Sequence, residues 1–131
     1  MPVQVVNTRN VLKTSFAAGI RVSSDMDILF LSGVTARPLD LDPEEPYEYP
    51  DDVEQQTRMT LDNIQGVLDE AGITWTDVVK IVRFYTEAPG NAIRAEYLGD
   101  WNPCSTTLGV EQLPEPGAKI MYDVTAVVPR T

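Results

Sequence analysis

One segment constrains the fold of this chain more than any other: the stretch that runs from Pro50 to Gly72. Five positions recur there at steps of three and four residues, and Val67 widens the stripe that they form: Val53, Thr57, Leu61, Ile64 and Leu68. That spacing predicts an amphipathic helix with one apolar face. Asp51 and Glu54 have the spacing of a capping box, and Gly72 stands where a helix C′ residue belongs. Because such a helix buries only one side, we expect it to lie across a β-sheet.

Strand signals surround this helix. The run Asp27–Gly33 is short, apolar and ended by glycine, and it predicts a strand buried on both faces. Val78–Tyr85 is rich in β-branched and aromatic residues and predicts a second strand. A shorter helix is expected in "NAIRAEYLGDW", followed by strands in "TTLGV" and "AKIMYDVTAVV". A strand pair is expected around Val3–Val6 and Ala17–Val22, and residues 35–50, which hold four prolines, predict a long exposed connection.

This order of elements predicts one α+β domain spanning residues 1–131, with two helices packed on one face of a mixed sheet. The opposite face of that sheet would then be bare. The segments "IVRF" and "MYDVTAVV" make it fairly apolar. A face of this kind normally gains its cover from another copy of the chain, so we expect a homo-oligomer.

The charge balance narrows the classes of partner. The chain carries twenty acidic and ten basic residues, a net charge of −10. Nucleic-acid binders draw much of their affinity from Lys and Arg, so we expect no nucleic-acid partner, and an anionic membrane surface is equally disfavoured. Eight of the acids lie between Asp40 and Glu54. Their spacing fits no EF-hand pattern, so this stretch is interpreted as a solvated loop rather than a cation site.

The chain has no histidine and one cysteine, which limits the catalytic and metal sites that it can form. Without histidine a Ser-His-Asp triad, a Cys-His dyad and the common His-based metal sites are excluded. We therefore expect no metal and no cofactor. Cys104 is the only cysteine, which rules out an internal disulfide and agrees with a reducing compartment. The N-terminal segment lacks the pattern of a signal peptide and no apolar run approaches about 18 residues, so the cytosol is the expected location.

Three segments, in order, resemble the Rid/YjgF family of small enamine and imine deaminases. They are "LFLSGVTARP", "DVEQQTRMTLDNIQGVLDEAGITWTDVVKIVRFYT" and "NAIRAEYLGDWNPCSTTLGVEQLP". The resemblance extends from about Ser15 to Val128. It implies a homotrimer of the chorismate-mutase-like kind, with small-molecule sites in the clefts between subunits.

The resemblance also implies site residues. In the family's deaminases, an arginine after a Pro-turn grips the substrate's α-carboxylate, and a glutamate on the last strand positions the hydrolytic water. The arginine position falls on Ser105 in this chain, and the glutamate position falls on Asp123. The carboxylate clamp is therefore missing, since serine cannot reproduce a bidentate charge-assisted pair. The catalytic carboxylate is kept in kind but is one methylene shorter.

Other substrate-binding candidates follow from the same match. The family's pocket-closing tyrosine falls near Phe16, which loses the hydroxyl, while Thr107 lies two residues past the arginine position. Phe84 and Gly33 match pocket positions, and Cys104 lies beside Ser105 in the Pro-turn. The chain has no histidine that could activate this thiol as a nucleophile, so a structural role for Cys104 is favoured.

Alternatives to the catalytic role of Asp123 remain open at this point. On the residues alone, Asp123 could be an ion-pair partner on the sheet face, with Lys80, Arg83 or Lys119 as the cation. Arg83 and Arg94 could each supply a replacement for the missing clamp.

The leading functional hypothesis is a Rid-like enzyme that hydrolyses an imine or enamine, with simple α-imino acids such as 2-iminopropionate as poor substrates. The alternatives are a metabolite-binding trimer that acts as a sensor or accessory protein, and a specialised-pathway enzyme with different chemistry in the same cleft. A ribonuclease or translation inhibitor is a weaker hypothesis, because the net charge of −10 and the absence of histidine disfavour it.

Overall fold

The computed structural model describes residues 3–8 and 16–130. Two helices, one 3₁₀ turn and six strands follow one another along them. Their bounds are β1 (Val3–Val6), β2 (Gly19–Val22), β3 (Met26–Phe30), α1 (Val53–Ala71), the 3₁₀ turn (Trp75–Asp77), β4 (Val78–Tyr85), α2 (Ala92–Leu98), β5 (Cys104–Gly109) and β6 (Ile120–Pro129).

Four of these strands form a mixed sheet in the order β3-β6-β4-β5. Strand β6 runs antiparallel to both of its neighbours, and β4 runs parallel to β5. Such a parallel pair needs a crossover, and α2 supplies it. Strands β1 and β2 form a separate antiparallel pair. The predicted α+β arrangement, with two helices on a mixed sheet, is confirmed.

Helix α1 lies across the sheet as its periodicity predicts. Leu61, Ile64 and Leu68 have no exposed surface, and they pack in one core with Tyr122 and Val124 of β6. The α1 side chains recur at helical spacing while the strand residues alternate, so each element presents one apolar face to the other. Burial of this apolar area is the main stabilising contribution to the fold.

The ends of α1 confirm one predicted cap and correct the other. Gly72 adopts φ +74°, a left-handed conformation that favours glycine, and its N–H donates to the carbonyl of Asp69. The predicted capping box of Asp51 and Glu54 is wrong. Asp52 is the N-cap, and its side chain accepts from the backbone N–H of Glu54 at 3.0 Å. The helix begins at Val53, so only Asp52 is placed to reach that N–H.

Gln56 fixes α1 against the approach to β6. The side chain is fully buried, and its Nε2 donates to the carbonyls of Pro50 and Gly117 at 2.6 and 2.9 Å. Its Oε1 accepts from the backbone N–H of Lys119 at 2.8 Å. A buried amide stabilises a fold only when its hydrogen bonds are made, and these three contacts satisfy that condition.

Strand β3 differs from its prediction. The helices cover one face of the sheet only, so Ile28 and Phe30 are 62% and 75% exposed on the other face. The expectation that Asp27–Gly33 is buried on both faces is therefore wrong for the single chain. Its hydrophobic run shows that both faces are apolar, not that both are covered.

The long connection between β3 and α1 has no helix or regular strand, as its prolines predict. Arg37 organises it: Nη2 donates to the carbonyls of Asp42 and Glu45 at 2.9 and 2.8 Å. Among residues 3–8 and 16–130, no helix has the length and apolar character needed to cross a membrane.

Candidate functional site

The face of the sheet opposite the helices, called here the open face, carries the candidate site. Strand alternation and register place on it Ile28, Phe30, Lys80, Val82, Phe84, Cys104, Thr106, Leu108, Met121, Asp123 and Thr125. Lys80 Nζ donates to Thr106 Oγ1 at 3.0 Å across this face, which fixes the assignment for β4 and β5. Most of the remaining members are apolar.

Asp123 lies near the middle of β6, opposite Val82 of β4. Its neighbours Tyr122 and Val124 point into the helix side and are 0% and 1% exposed, whereas Asp123 itself is exposed. The carboxylate of Asp123 makes no hydrogen bond or ion pair within the part of the chain that the structure describes. It is an acceptor without a partner among the described residues, on a face that is largely apolar apart from Lys80, Thr106 and Thr125.

The ion-pair interpretation of Asp123 fails because its three candidate cations bind elsewhere. Arg83 lies on the helix side of β4, and Lys119 precedes β6. Their partners are Thr106 for Lys80, Asn91 for Arg83, and Asp51 and Glu87 for Lys119. The strand therefore exposes a carboxylate that has no side-chain partner among residues 3–8 and 16–130.

Gly33 packs against Met121, which lies two residues before Asp123 on the same face of β6. A Cβ on Gly33 would lie 3.0 Å from the Met121 sulfur, a closer approach than ordinary packing permits. Both residues line a cavity of about 380 Å³, which also involves Leu39 and Pro114. Asp123 does not line this cavity; its neighbour on the same face, Met121, does. The volume of the cavity suits a small-molecule site.

Three further predicted residues lie on or near the same face. Phe84 is the register partner of Met121. Cys104 is partly buried and pairs with Lys80 across β4 and β5. Phe16 is 45% exposed, and the backbone N–H of the residue after it donates to the carbonyl of Pro103, next to Cys104.

Ser105 and Thr107 lie on the other side of the sheet. Their register partners are Ile81 and Arg83, which face the helices. Ser105 Oγ accepts from Arg94 Nη1 at 3.2 Å. Within one chain, the structure thus separates these two predicted residues from Asp123 by the thickness of the sheet. It also places both candidate replacement cations on the helix side.

The sequence interpretation missed a polar cluster near the cavity. Tyr49 donates to the Glu115 carboxylate, and its hydroxyl lies 2.9 Å from Thr35 Oγ1. Burial, reinforced by the Glu115 hydrogen bond, raises the pKa of the Tyr49 phenol to about 12. Thr35 and Glu115 line the cavity beside Gly33. Tyr49 lies within the acidic, proline-rich stretch that the sequence predicts to be a solvated loop. Only the aromatic character of Tyr49 indicates a packed position there.

A second cavity, of about 600 Å³, lies between α1 and the long connection and involves Leu29, Leu39 and Asn63. None of the predicted site residues lines it. In the described ranges, no three His, Cys, Asp or Glu side chains come together as a metal-binding group.

A four-stranded mixed sheet with two helices on one face is the architecture of the small α+β chains of YjgF type. A family model described as Endoribonuclease L-PSP matches residues 6–128. The chain belongs to this family, whose members include Rid/YjgF proteins.

Individual relatives agree with this assignment. A RutC family protein of Pyrococcus horikoshii is 30% identical over 105 residues, covering 77% of this chain and 78% of that protein. The crystal structure of YyfA of Yersinia pestis, a Rid protein of unknown function, matches with a TM-score of 0.65 at 31% identity, covering 96% and 99% of the two chains. YyfB of the same organism gives a TM-score of 0.79 over 98% and 100%, at 24% identity, and shows the fold alone.

Proposed function

We propose that this chain is a Rid-type enzyme that hydrolyses an imine or enamine, with Asp123 as its catalytic carboxylate. The main support for the proposal is the exposed Asp123 carboxylate on a largely apolar face, two residues along β6 from Met121, which lines the cavity shared with Gly33. A carboxylate held on a face that a partner covers costs several kcal/mol unless it is paired or used.

The proposed site is completed by oligomerisation. The open face exposes Ile28, Phe30 and Leu108 at 62%, 75% and 41%. Exposed apolar surface of this extent favours burial against a second copy. We propose a homotrimer in which this face is covered and a neighbouring chain closes the cleft around Asp123. The proposed partners are thus the small-molecule substrate and the chain itself, without nucleic acid or membrane.

The proposed chemistry is addition of water to a C=N bond followed by loss of the nitrogen. Asp123 accepts a proton from water while the oxygen forms a bond to the imine carbon, and the imine nitrogen takes up a proton from solvent. In the resulting carbinolamine, Asp123 returns its proton to the nitrogen. The C–N bond then breaks as the carbinolamine hydroxyl loses its proton to solvent, the carbonyl forms, and ammonia or an amine leaves. A positioned carboxylate that acts as general base typically accelerates such a step by about 10²- to 10⁴-fold.

The substrate is proposed to lack the simple α-imino acid pattern. Ser105 occupies the position of the family's carboxylate-binding arginine, and its hydroxyl is already engaged by Arg94 on the helix side. Loss of one charge-assisted contact costs a few kcal/mol, which is roughly 100-fold in turnover of a carboxylate substrate. The better candidates are imines that have no carboxylate, or whose carboxylate lies farther from the reacting carbon than the α position.

A panel of imines generated in situ tests the proposal. An amino-acid oxidase supplies 2-iminopropionate, and an amine oxidase supplies an imine without the α-carboxylate. We expect the protein to accelerate disappearance of the second imine more than the first, relative to spontaneous hydrolysis. If neither imine disappears faster than in buffer, the deaminase proposal fails.

A binding function without turnover is the second candidate, and the replacement of the clamp by Ser105 favours it. It predicts saturable binding of a small metabolite by a protein that accelerates no imine hydrolysis. The endoribonuclease description of the family suggests a third assay, in which an RNA substrate is incubated with the protein. We expect no cleavage, because the net charge of −10 opposes binding of a polyanion. The proposed setting is the cytosol, where a lone thiol such as Cys104 stays reduced.

A further inference from the structure

Two arginines lie buried on the helix side of the sheet without any carboxylate to neutralise them. Arg83 of β4 and Arg94 of α2 are only 8% and 9% exposed. Every Asp and Glu of the sequence falls within residues 3–8 and 16–130, and the ion pairs there involve Arg58, Lys119 and Arg130 instead. No Asp or Glu side chain therefore supplies a counter-charge for this pair.

The hydrogen bonds of the two guanidinium groups are incomplete. Arg83 Nη1 donates to Asn91 Oδ1 at 3.3 Å, and Arg94 Nη1 donates to Ser105 Oγ at 3.2 Å. Three buried side-chain polar atoms in the described part of the chain lack any partner: Arg83 Nε, Arg94 Nη2 and the Tyr122 hydroxyl. All three can donate a hydrogen bond, and none is a carbonyl or carboxylate oxygen.

The three unpartnered donors belong to one cluster. Arg83 and Tyr122 are register partners on neighbouring strands, with both side chains on the helix side. Burial lowers the pKa of Arg94, and the nearby charge of Arg83 lowers it further, while Tyr122 acts in the opposite direction. A cavity of about 90 Å³ along α2 is lined by Arg94 and by Asn91, the hydrogen-bond partner of Arg83, but not by Arg83 or Tyr122 themselves. It has room for a few water-sized groups.

Unpaired buried charge is costly, and arginine does not readily lose its proton. One water molecule accepts at most two hydrogen bonds, so it would leave one of the three donors unsatisfied and two positive charges without compensation. An oxyanion supplies both the acceptors and the charge, and the guanidinium fork matches carboxylate and phosphate oxygens.

We propose that Arg83, Arg94 and Tyr122 form a buried site for a small oxyanion, either a carboxylate no larger than about pyruvate or inorganic phosphate. The site lies across the sheet from Asp123, and its occupancy does not depend on the imine chemistry. Bound anion would stabilise the packing of α2 against β4 and β5, which carry the turn at Cys104.

Thermal unfolding of the full chain in different anions tests this site. The protein is first dialysed into chloride, and acetate, pyruvate or phosphate is then compared with chloride at equal ionic strength. At ten times the dissociation constant, an oxyanion should raise the midpoint by about 3 °C or more. Whichever of the carboxylates or phosphate acts at the lower concentration identifies the source of the ligand.

Matched variants separate this site from general salt effects. Arg94→Met should abolish the oxyanion-specific shift, whereas Arg21→Met, at an exposed position of β2, should keep it. Tyr122→Phe removes a hydroxyl donor that has no partner within the chain's described part. The variant should therefore fold and show a smaller oxyanion-specific shift in the midpoint. Asp123→Asn should retain the full shift, which distinguishes failure of this site from failure of the deaminase. If all anions behave like chloride, or if Tyr122→Phe and Arg94→Met both respond like wild type, the proposal is overturned.

Discussion

Tyr49 shows how a single residue couples the fold to pH. Its phenol has a pKa of about 12 in the folded chain against a reference value of 10.0, chiefly because it is buried and secondly because it donates to Glu115. Between these values the unfolded chain loses the proton while the folded chain keeps it. The associated stability is therefore complete below pH 10 and is lost as the pH rises toward 12.

The prediction is a smaller alkaline loss of stability in Tyr49→Phe than in wild type. Urea midpoints measured at pH 8 and pH 11 should fall less for the variant, although it starts lower because it lacks the bonds to Thr35 and Glu115. Equal losses for the two proteins would show that the Tyr49 phenol does not titrate with folding.

Individual site residues were only partly predictable. Asp123 stands out in the sequence because a carboxylate interrupts an apolar strand, and its face follows from the alternation of β6. The side of the sheet that Ser105 faces depends on the register between β4 and β5, which no local pattern encodes. The buried pair of Arg83 and Arg94 was equally hidden, since its members come from a strand and a helix that meet only in the fold.

At the scale of elements, the two glycines of α1 give opposite predictions. Gly72 ends the helix at φ +74°, and alanine there should destabilise the protein by about 1 kcal/mol because L side chains rarely adopt this conformation. Gly66 lies inside the helix, and an added Cβ meets nothing within 4 Å. Gly66→Ala should stabilise by about 0.5–1 kcal/mol. Chemical denaturation of the matched pair measures both changes, and effects of the same sign would contradict the assignment of the cap.

Helix α1 and strands β4 and β6 were predictable because hydrophobic periodicity reports which side of an element is buried. Cap positions were less so, since Asp51 and Asp52 are chemically equivalent and only the start of the first turn selects Asp52. The covering of β3 was not predictable from its own residues. Whether its second face is buried depends on what else packs there, which is a property of the whole molecule.

At the scale of the whole molecule, the open face leads to a prediction about assembly. Phe30 is 75% exposed on that face, whereas Gln55 is exposed on α1, on the opposite side of the sheet. We expect wild type to have three times the mass of the 14.5-kDa chain, and Phe30→Glu to dissociate it because a charge would then be buried in the interface. Gln55→Glu should leave the mass unchanged. Light scattering after size exclusion gives these masses, and a monomeric wild type would refute the covered face.

The imine-hydrolysis rate of Asp123→Asn tests most directly whether the Asp123 carboxylate is catalytic. The substitution preserves shape, and the Asp123 side chain makes no hydrogen bond or ion pair with any described residue, so the unfolding midpoint and the oligomeric mass should stay at the wild-type values. On the best imine of the panel, kcat/KM should fall by about 100-fold or more, while Asp100→Asn, at an exposed turn, retains full activity. If Asp123→Asn turns over the imine at the wild-type rate, the carboxylate is not catalytic and the account of this site is wrong.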